Sequence, residues 1–290
     1  MPQTTSSTAR LMDGSALARR MVEQAAARAA ALTRQTGRAP CLATVLVGED
    51  PASVTYVRMK RARCEKAGIR SRHIALPAAT TTAQLVDTIG ELSADPGVHG
   101  ILLQHPAGPH IDERAAFEAI APAKDVDGVT CHSFAAMSFG LDGFVSCTPG
   151  GIMRLLDHYD VELAGKHAVV VGRSAILGKP VGMLLLGRDA TVTYCHSRTT
   201  DLAAITREAD VLIAAVGRPR VLHGDHIKPG AVVVDAGYNP GNIGDVDFDS
   251  AVTRAGLLTP VPSGVGPMTI ATLLTQTVDA AARQLGATAV

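Results

Sequence analysis

An α/β fold of two doubly wound lobes is what this sequence predicts, the second lobe of Rossmann type, with a cleft between them. Three observations carry that expectation. Strand-like apolar runs alternate with helix-like runs along the chain, the signature of parallel sheets covered by helices. The alternation restarts after Pro149, and 290 residues are enough for two separate cores. Tryptophan is absent and aromatic residues make up only 3%, so the cores must be built from Val, Leu, Ile and Ala, which suits buried parallel strands.

The elements follow in order. An Ala-rich helix from about Ser15 to Gln35 ends at Gly37, and Pro40 closes it off. The run Cys41–Val47 reads as a buried strand, and a helix follows from about Ala52 to Ala67, stopped by Gly68. Arg70–Ala75 is a second strand, Thr82–Ala94 a helix, Val98–Leu103 a third strand and Asp112–Ile120 another helix. Beyond Pro149, a helix near Gly151–Tyr159 leads to the apolar strand His167–Val171. A helix from about Lys179 to Gly187, a strand Thr191–Tyr194 and a helix Leu202–Glu208 come next, then strands Val211–Ala215 and Ala231–Asp235. A last helix, roughly Met268 to Leu285, must bury its apolar stripe, and returning to the first lobe would do so. The expected lobes are therefore 1–149, completed by 268–290, and 150–267.

Composition narrows the function. Formal net charge is zero and charged residues are 19%, which gives no electrostatic reason to expect nucleic acid. No apolar run approaches the roughly 20 residues that span a bilayer. The five cysteines are scattered and never form C-x-x-C, so they read as reduced thiols of a cytoplasmic protein, with no metal site. The opening Met1–Thr8 lacks a signal-peptide core and reads as a short disordered tail.

Five segments carry candidate chemistry. Tyr56 and Lys60 stand one helical turn apart on one face. A desolvated lysine there could release its proton near neutral pH, whereas the alternative is a solvated polar pair on a basic helix. Gln104-His105-Pro106 directly follows the third strand, where parallel sheets bind ligands, or else simply makes turn hydrogen bonds. In Lys124-Asp-Val-Asp127-Gly128, an aspartate at a loop end suits a donor–donor ring edge; the alternative is an ordinary Asp-Gly turn. Gly172-Arg173-Ser174, after a strand and ahead of a helix, can hold a phosphate on free N–H groups, though it is not G-x-G-x-x-G. Arg173 and Ser174 add donors suited to the extra phosphate of NADP. Pro260–Thr269, with three prolines and two glycines from Pro260 to Pro267, is a rigid loop whose backbone can approach a ligand.

Together these segments resemble the bifunctional methylenetetrahydrofolate dehydrogenase/methenyltetrahydrofolate cyclohydrolase family. The resemblance runs from about Asp13 to Ala281. It includes Gly48-Glu-Asp50-Pro51-Ala-Ser53, Tyr56-x-x-x-Lys60, His99-Gly-Ile-Leu-Leu-Gln104, Lys124–Gly128 and Cys147-Thr148-Pro149. It continues through Gly172-Arg-Ser174, Gly178-Lys-Pro180, His196-Ser197, Gly244-Asp-Val-Asp247 and Gly264-Val-Gly-Pro-Met-Thr269. It implies an N-terminal catalytic lobe and an NAD(P)-binding lobe, with NADP (or NAD) as cofactor, tetrahydrofolate one-carbon derivatives as substrates, and a homodimer. It implies oxidation of 5,10-methylenetetrahydrofolate to the methenyl cation, then hydrolysis to 10-formyltetrahydrofolate, a donor for purine synthesis. By the same resemblance Lys60 is the acid/base group, Tyr56 stacks on the folate, Gln104 tunes the lysine and Asp127 holds the pterin. Arg173, Ser174 and Ser197 match the cofactor phosphate contacts, with Gly172 and Thr148 beside them, and Gly264, Pro267 and Thr269 fall on the substrate side.

The chain departs from the family pattern at His105, at Ser133-Phe-Ala135 in place of Asn-x-Gly, and at Ser263 in the Pro262 loop. These changes leave two alternatives open: a member with mainly dehydrogenase activity, and a non-catalytic folate- or nucleotide-binding paralogue. Retention of Tyr56, Lys60 and Gln104 argues against the latter.

Overall fold

The computed structural model describes residues 8–48 and 60–287. They divide into two compact units: Arg19–Cys147 with the segment that begins at Ile270, and Thr148–Thr269 with the residues up to Ala18. The divisions fall inside three helices, α1 (Gly14–Thr36), α6 (Cys147–His158) and α10 (Val265–Gln284).

The first unit is built on a three-stranded parallel sheet in the order β3-β2-β4, with β2 (Cys41–Val47) at its centre. Every residue of β2 is buried, as a run that is apolar but for Thr44 and lies between two covered faces requires. The edge strand β3 (Arg70–Leu76) mixes exposed and half-buried residues instead. Residues 60–66 form the described part of helix α2. Helix α3 (Thr82–Ala94) starts at a capping box in which Thr81 and Gln84 satisfy each other's backbone N–H, and buries Leu85, Ile89 and Leu92 on one stripe. Strand β4 (Gly100–Leu103) runs parallel to β2, and the Gln104 N–H donates to Val45 O, so Gln104 sits at the carboxyl edge of the sheet. Helices α4 (Glu113–Glu118) and α5 (Cys131–Phe139) follow. Ile270, Leu273, Leu274 and Val278 of α10 share one core with Ala25 and Ala29 of α1, Leu42 and Leu102. The last helix begins at Val265, three residues before the expected Met268.

The second unit holds a six-stranded parallel sheet ordered β1-β9-β8-β7-β5-β6. Strand β5 (His167–Val171) leads through α7 (Gly178–Leu186) to β6 (Thr191–Cys195) on one side. The chain then crosses through α8 (Leu202–Thr206) to β7 (Val211–Ala214) on the other side, and on to β8 (Val232–Asp235), α9 (Phe248–Ala251) and β9 (Leu257–Leu258). The order therefore reverses between β5 and β7, where doubly wound sheets open a crevice for ligands at their carboxyl ends. Strand β1 (Arg10–Leu11), which the sequence analysis grouped with 1–149, instead pairs with β9 of this sheet. Two-residue strands carry no periodicity, so β1 and β9 left no mark in the sequence.

Candidate active site and nucleotide crevice

Lys60 is only 6% exposed, and its Nζ donates to Gln104 Oε1 at 3.2 Å. Gln104 is itself buried, and its Nε2 donates to the His105 carbonyl at 3.0 Å, which fixes the amide with its oxygen toward the lysine. Burial lowers the Lys60 pKa from the ordinary lysine value, while the charge of Asp127 pulls it back up. The bland reading, a solvated lysine on a wet helix face, does not describe this side chain. Tyr56, the expected stacking partner, lies outside the described residues. His105 is half-buried after the strand end, in a cis peptide with Pro106, with its ring edge-on to Phe117.

The two aspartates of Lys124–Gly128 do different work. Asp125 is fully buried and accepts from Val129 N (3.1 Å), Thr130 N (2.9 Å) and Ser133 Oγ (2.6 Å). Ser133, a departure from the family pattern, is thus spent on bracing this loop to the first turn of α5. Asp127 keeps a partly exposed side chain and is the leading charge on Lys60. Its carbonyl accepts from Cys147 N at 3.1 Å. Gly128 has φ 67°, and a Cβ there would run into the backbone of Val145 and Ser146, so only glycine lets the two segments meet. Burial, then Asp127, pushes the Cys147 thiol well above its ordinary pKa, so it is a neutral neighbour of the lysine and no nucleophile. Lys124 serves structure: its Nζ donates to the carbonyls of Leu92 and Asp95.

In the second unit Gly172 directly follows β5 with φ 135°, and a Cβ there would overlap the Ala215 carbonyl just beyond β7. That close approach joins the two loops of the crevice and leaves a cradle no larger residue could form. Arg173 and Ser174 are exposed. Ser174 Oγ accepts from Leu177 N and Gly178 N at 3.2 Å, capping the turn into α7 while its own proton stays available to a ligand. Ser197 is exposed just beyond β6, whose Cys195 pairs with Val171, so it shares the carboxyl edge with the Gly172 turn. Thr148 and Thr269, assigned to cofactor and substrate respectively in the sequence, form one hydrogen-bonded hydroxyl pair at 3.0 Å. Gly264 N donates to Pro260 O at 2.7 Å, closing the proline-rich turn, and Pro267 stands in the first turn of α10.

Two aspartates that the sequence reading gave no role brace the same edge. Asp245 is fully buried and accepts from three consecutive amides, Val216 (2.6 Å), Gly217 (2.8 Å) and Arg218 (3.0 Å), and from Asn239 Nδ2 (3.1 Å). It thereby pins the loop after β7, one wall of the crevice. Asp235, at the end of β8, accepts from Gly237, Asp245 and Val246 N–H groups at 2.9–3.0 Å. Burial raises its carboxyl to about 6 against the pull of those three amides. The fit is reciprocal: a Cβ at Gly237 would strike the Asp245 carboxylate, and one at Gly244 would strike that of Asp235. The paired aspartates and glycines at 235–237 and 244–245 were the visible signal. Among the described residues no group of three or more His, Cys, Asp or Glu could hold a metal ion, and no helix is long and apolar enough to cross a membrane.

Comparison with known proteins agrees over nearly the whole chain. Residues 12–127 match the profile of the tetrahydrofolate dehydrogenase/cyclohydrolase catalytic domain, and residues 146–285 that of its NAD(P)-binding domain. The chain is 81% identical to bifunctional protein FolD 1 of Streptomyces avermitilis, over 96% of this chain and 97% of that protein. The crystal structure of the bifunctional FolD dehydrogenase/cyclohydrolase of Campylobacter jejuni superposes with a TM-score of 0.92 at 43% identity, covering 94% of this chain and 99% of that one. A Trypanosoma brucei methylenetetrahydrofolate dehydrogenase-cyclohydrolase, solved with NADP and an inhibitor, matches at 0.91 and 38% identity, covering 98% and 99%. The two-lobed α/β architecture expected from the sequence is that of these enzymes, and the chain belongs to the tetrahydrofolate dehydrogenase/cyclohydrolase family.

Proposed function

We propose that this protein oxidises 5,10-methylenetetrahydrofolate with NADP⁺ and hydrolyses the resulting methenyl cation to 10-formyltetrahydrofolate. The observation that carries the second step is the buried Lys60, bonded to Gln104 and below its ordinary pKa. The nicotinamide ring, when bound, accepts a hydride from the methylene carbon. That transfer asks the protein for alignment of two carbons and for no proton carrier. Hydrolysis is different. Water forms a bond to the amidinium carbon and must lose a proton, and opening the ring requires a proton on the departing folate nitrogen. An amine already disfavoured as ammonium by burial, and disfavoured further by a cationic substrate, takes the first proton and returns the second.

Gln104 holds the amine in place, Asp127 receives the pterin's donor edge, and Tyr56 stacks on the folate. Gly172, Arg173, Ser174, Ser197 and Thr148 hold the cofactor, with Arg173 facing the 2′-phosphate; Gly264, Pro267 and Thr269 complete the substrate side. Residues 19–147 with those from 270 onward form the catalytic domain, and 148–269 with those up to 18 the NAD(P)-binding domain, in a cytoplasmic homodimer that uses neither nucleic acid nor membrane. The test is incubation with methylenetetrahydrofolate and either NADP⁺ or NAD⁺, followed at the methenyl absorption band. A transient that rises faster with NADP⁺ and then decays is expected. A stable methenyl product would instead leave a dehydrogenase alone, and no signal with either cofactor would leave a binding protein.

A further inference from the structure

Gln276 lies on the buried face of α10, 5% exposed. Its Nε2 donates to the Val126 carbonyl at 2.8 Å and to the Val145 carbonyl at 3.0 Å, and it lies 3.5 Å from Cys147 Sγ. An amide nitrogen has two protons, so both are spent here. The two carbonyls belong to the two segments that carry Asp127 and Cys147. Those segments are also joined directly, by Cys147 N on Asp127 O (3.1 Å), Ser146 Oγ on Gly128 O (2.7 Å) and Cys147 Sγ on Val126 O (3.2 Å). The neighbouring core positions of α10, at 270, 273, 274 and 278, are aliphatic, and packing alone would accept an aliphatic residue at 276 too.

We infer that Gln276 is a positioning residue of the proton-transfer site: it fixes the segment bearing Asp127 and so sets the charge that Lys60 faces. The inference rests on the reading of Lys60 as the proton carrier of hydrolysis. Lys60 faces Asp127, Cys147 and Cys64. Cys147 in turn faces Asp125, and Cys64 faces Cys41 and Glu65. Burial holds both thiols neutral, Cys64 up to about 12. Asp127 thus supplies the charge that favours the ammonium form. Releasing its segment weakens that pull and makes the neutral amine available at lower pH.

The test is the pH–rate profile of methenyltetrahydrofolate hydrolysis by the full chain. Gln276→Met fills the volume without a donor, and Gln276→Asn keeps an amide one methylene shorter. Leu274→Ala, a fully buried neighbour on the same helix, controls for lost packing. The acid limb is expected to move down by about 0.5–1 pH unit in Gln276→Met, below the 1–3 units that a whole opposite charge supplies. It should move less in Gln276→Asn, with KM for NADP⁺ unchanged in both, while Leu274→Ala lowers Tm and leaves the limb where it was. An unmoved limb in Gln276→Met overturns the inference alone. Failure of both Gln276 variants to fold also overturns it, because Gln276 is then a folding residue first. Wild-type hydrolysis by a parallel Lys60→Met variant overturns the reading of Lys60, and the inference with it.

Discussion

The tripeptide Asp-Val-Asp occurs twice, at 125–127 in one unit and at 245–247 in the other, and the two copies divide their labour in the same way. In each the first aspartate is fully buried and gathers backbone N–H groups: two for Asp125, with a serine hydroxyl, and three for Asp245, with an asparagine amide. The second aspartate is the one that differs. Asp127 turns its charge on a buried lysine. Asp247 stands at the start of α9, accepting from Ser250 Oγ at 2.5 Å with His223 3.8 Å away. One motif thus gives a braced loop twice and an electrostatic partner for chemistry once. A carboxylate's surroundings, rather than its sequence neighbours, decide what it does.

Removing what Asp127 faces should break the comparison most severely. Lys60→Met keeps the bulk of the stem and deletes the amine. Hydrolysis is expected to fall by about 10²–10⁴-fold or more, while oxidation falls less and the methenyl compound accumulates. Stopped assays of both products read this directly.

The first aspartates should respond alike. Asp125→Ala and Asp245→Ala each strand buried donors that cost roughly 1–3 kcal/mol apiece before relaxation, so losses of about 2–4 kcal/mol in urea unfolding are expected from either. They part company in kinetics. Asp245→Ala should raise KM for NADP⁺ more than KM for folate, because the Val216–Arg218 loop loses its anchor. Equal changes in both KM values would mean that this loop does not touch the cofactor.

Arg173→Ala sharpens the nucleotide side further. A charge-assisted hydrogen bond is worth about 1.5–3 kcal/mol, and the loss should fall on NADP⁺ binding and spare NAD⁺. Equal weakening of the two would remove Arg173 from the 2′-phosphate.

Asp247→Asn should do least. Ser250 first, then the charges of Arg220 and His223, hold this carboxyl below its ordinary pKa. A carboxyl lowered in the folded state contributes stability above the usual carboxylate range and loses it as pH falls through the folded value. The substitution should therefore change stability by less than about 0.5 kcal/mol at pH 7, flatten only the acid end of the pH–stability curve, and leave both activities intact.

How much of this was legible in the chain depended on what each signal required. The largely apolar strands β2 and β5 were readable to the residue, since burial on both faces leaves a nearly continuous apolar run. Lys60 and Gln104 were readable as candidates, but their burial and their bond were not, because 44 residues separate them and no local pattern brings a helix residue to a strand end. The difference between Asp125 and Asp127 was invisible for the same reason. Ser133 looked like a loss in the sequence and proved to be a donor to Asp125. Gln276 was hidden within an apolar stripe, where one amide reads as a break in the pattern rather than as a clamp.

The division of the units inside α1, α6 and α10 has a consequence for synthesis on the ribosome. Strand β1 is made first, yet its partner β9 follows about 250 residues later. The core around β2 needs Ile270, Leu273 and Leu274 of the final helix. Neither body can therefore finish while the chain is still short, and each must wait with an open edge or an uncovered apolar face for its last piece. Long-range closure of this kind slows folding and prolongs exposure of sticky surface. Destabilising changes in α10 should accordingly lower the yield of soluble protein in cells more than their effect on the stability of the finished molecule would suggest, which paired expression and unfolding measurements on Leu274→Ala can test.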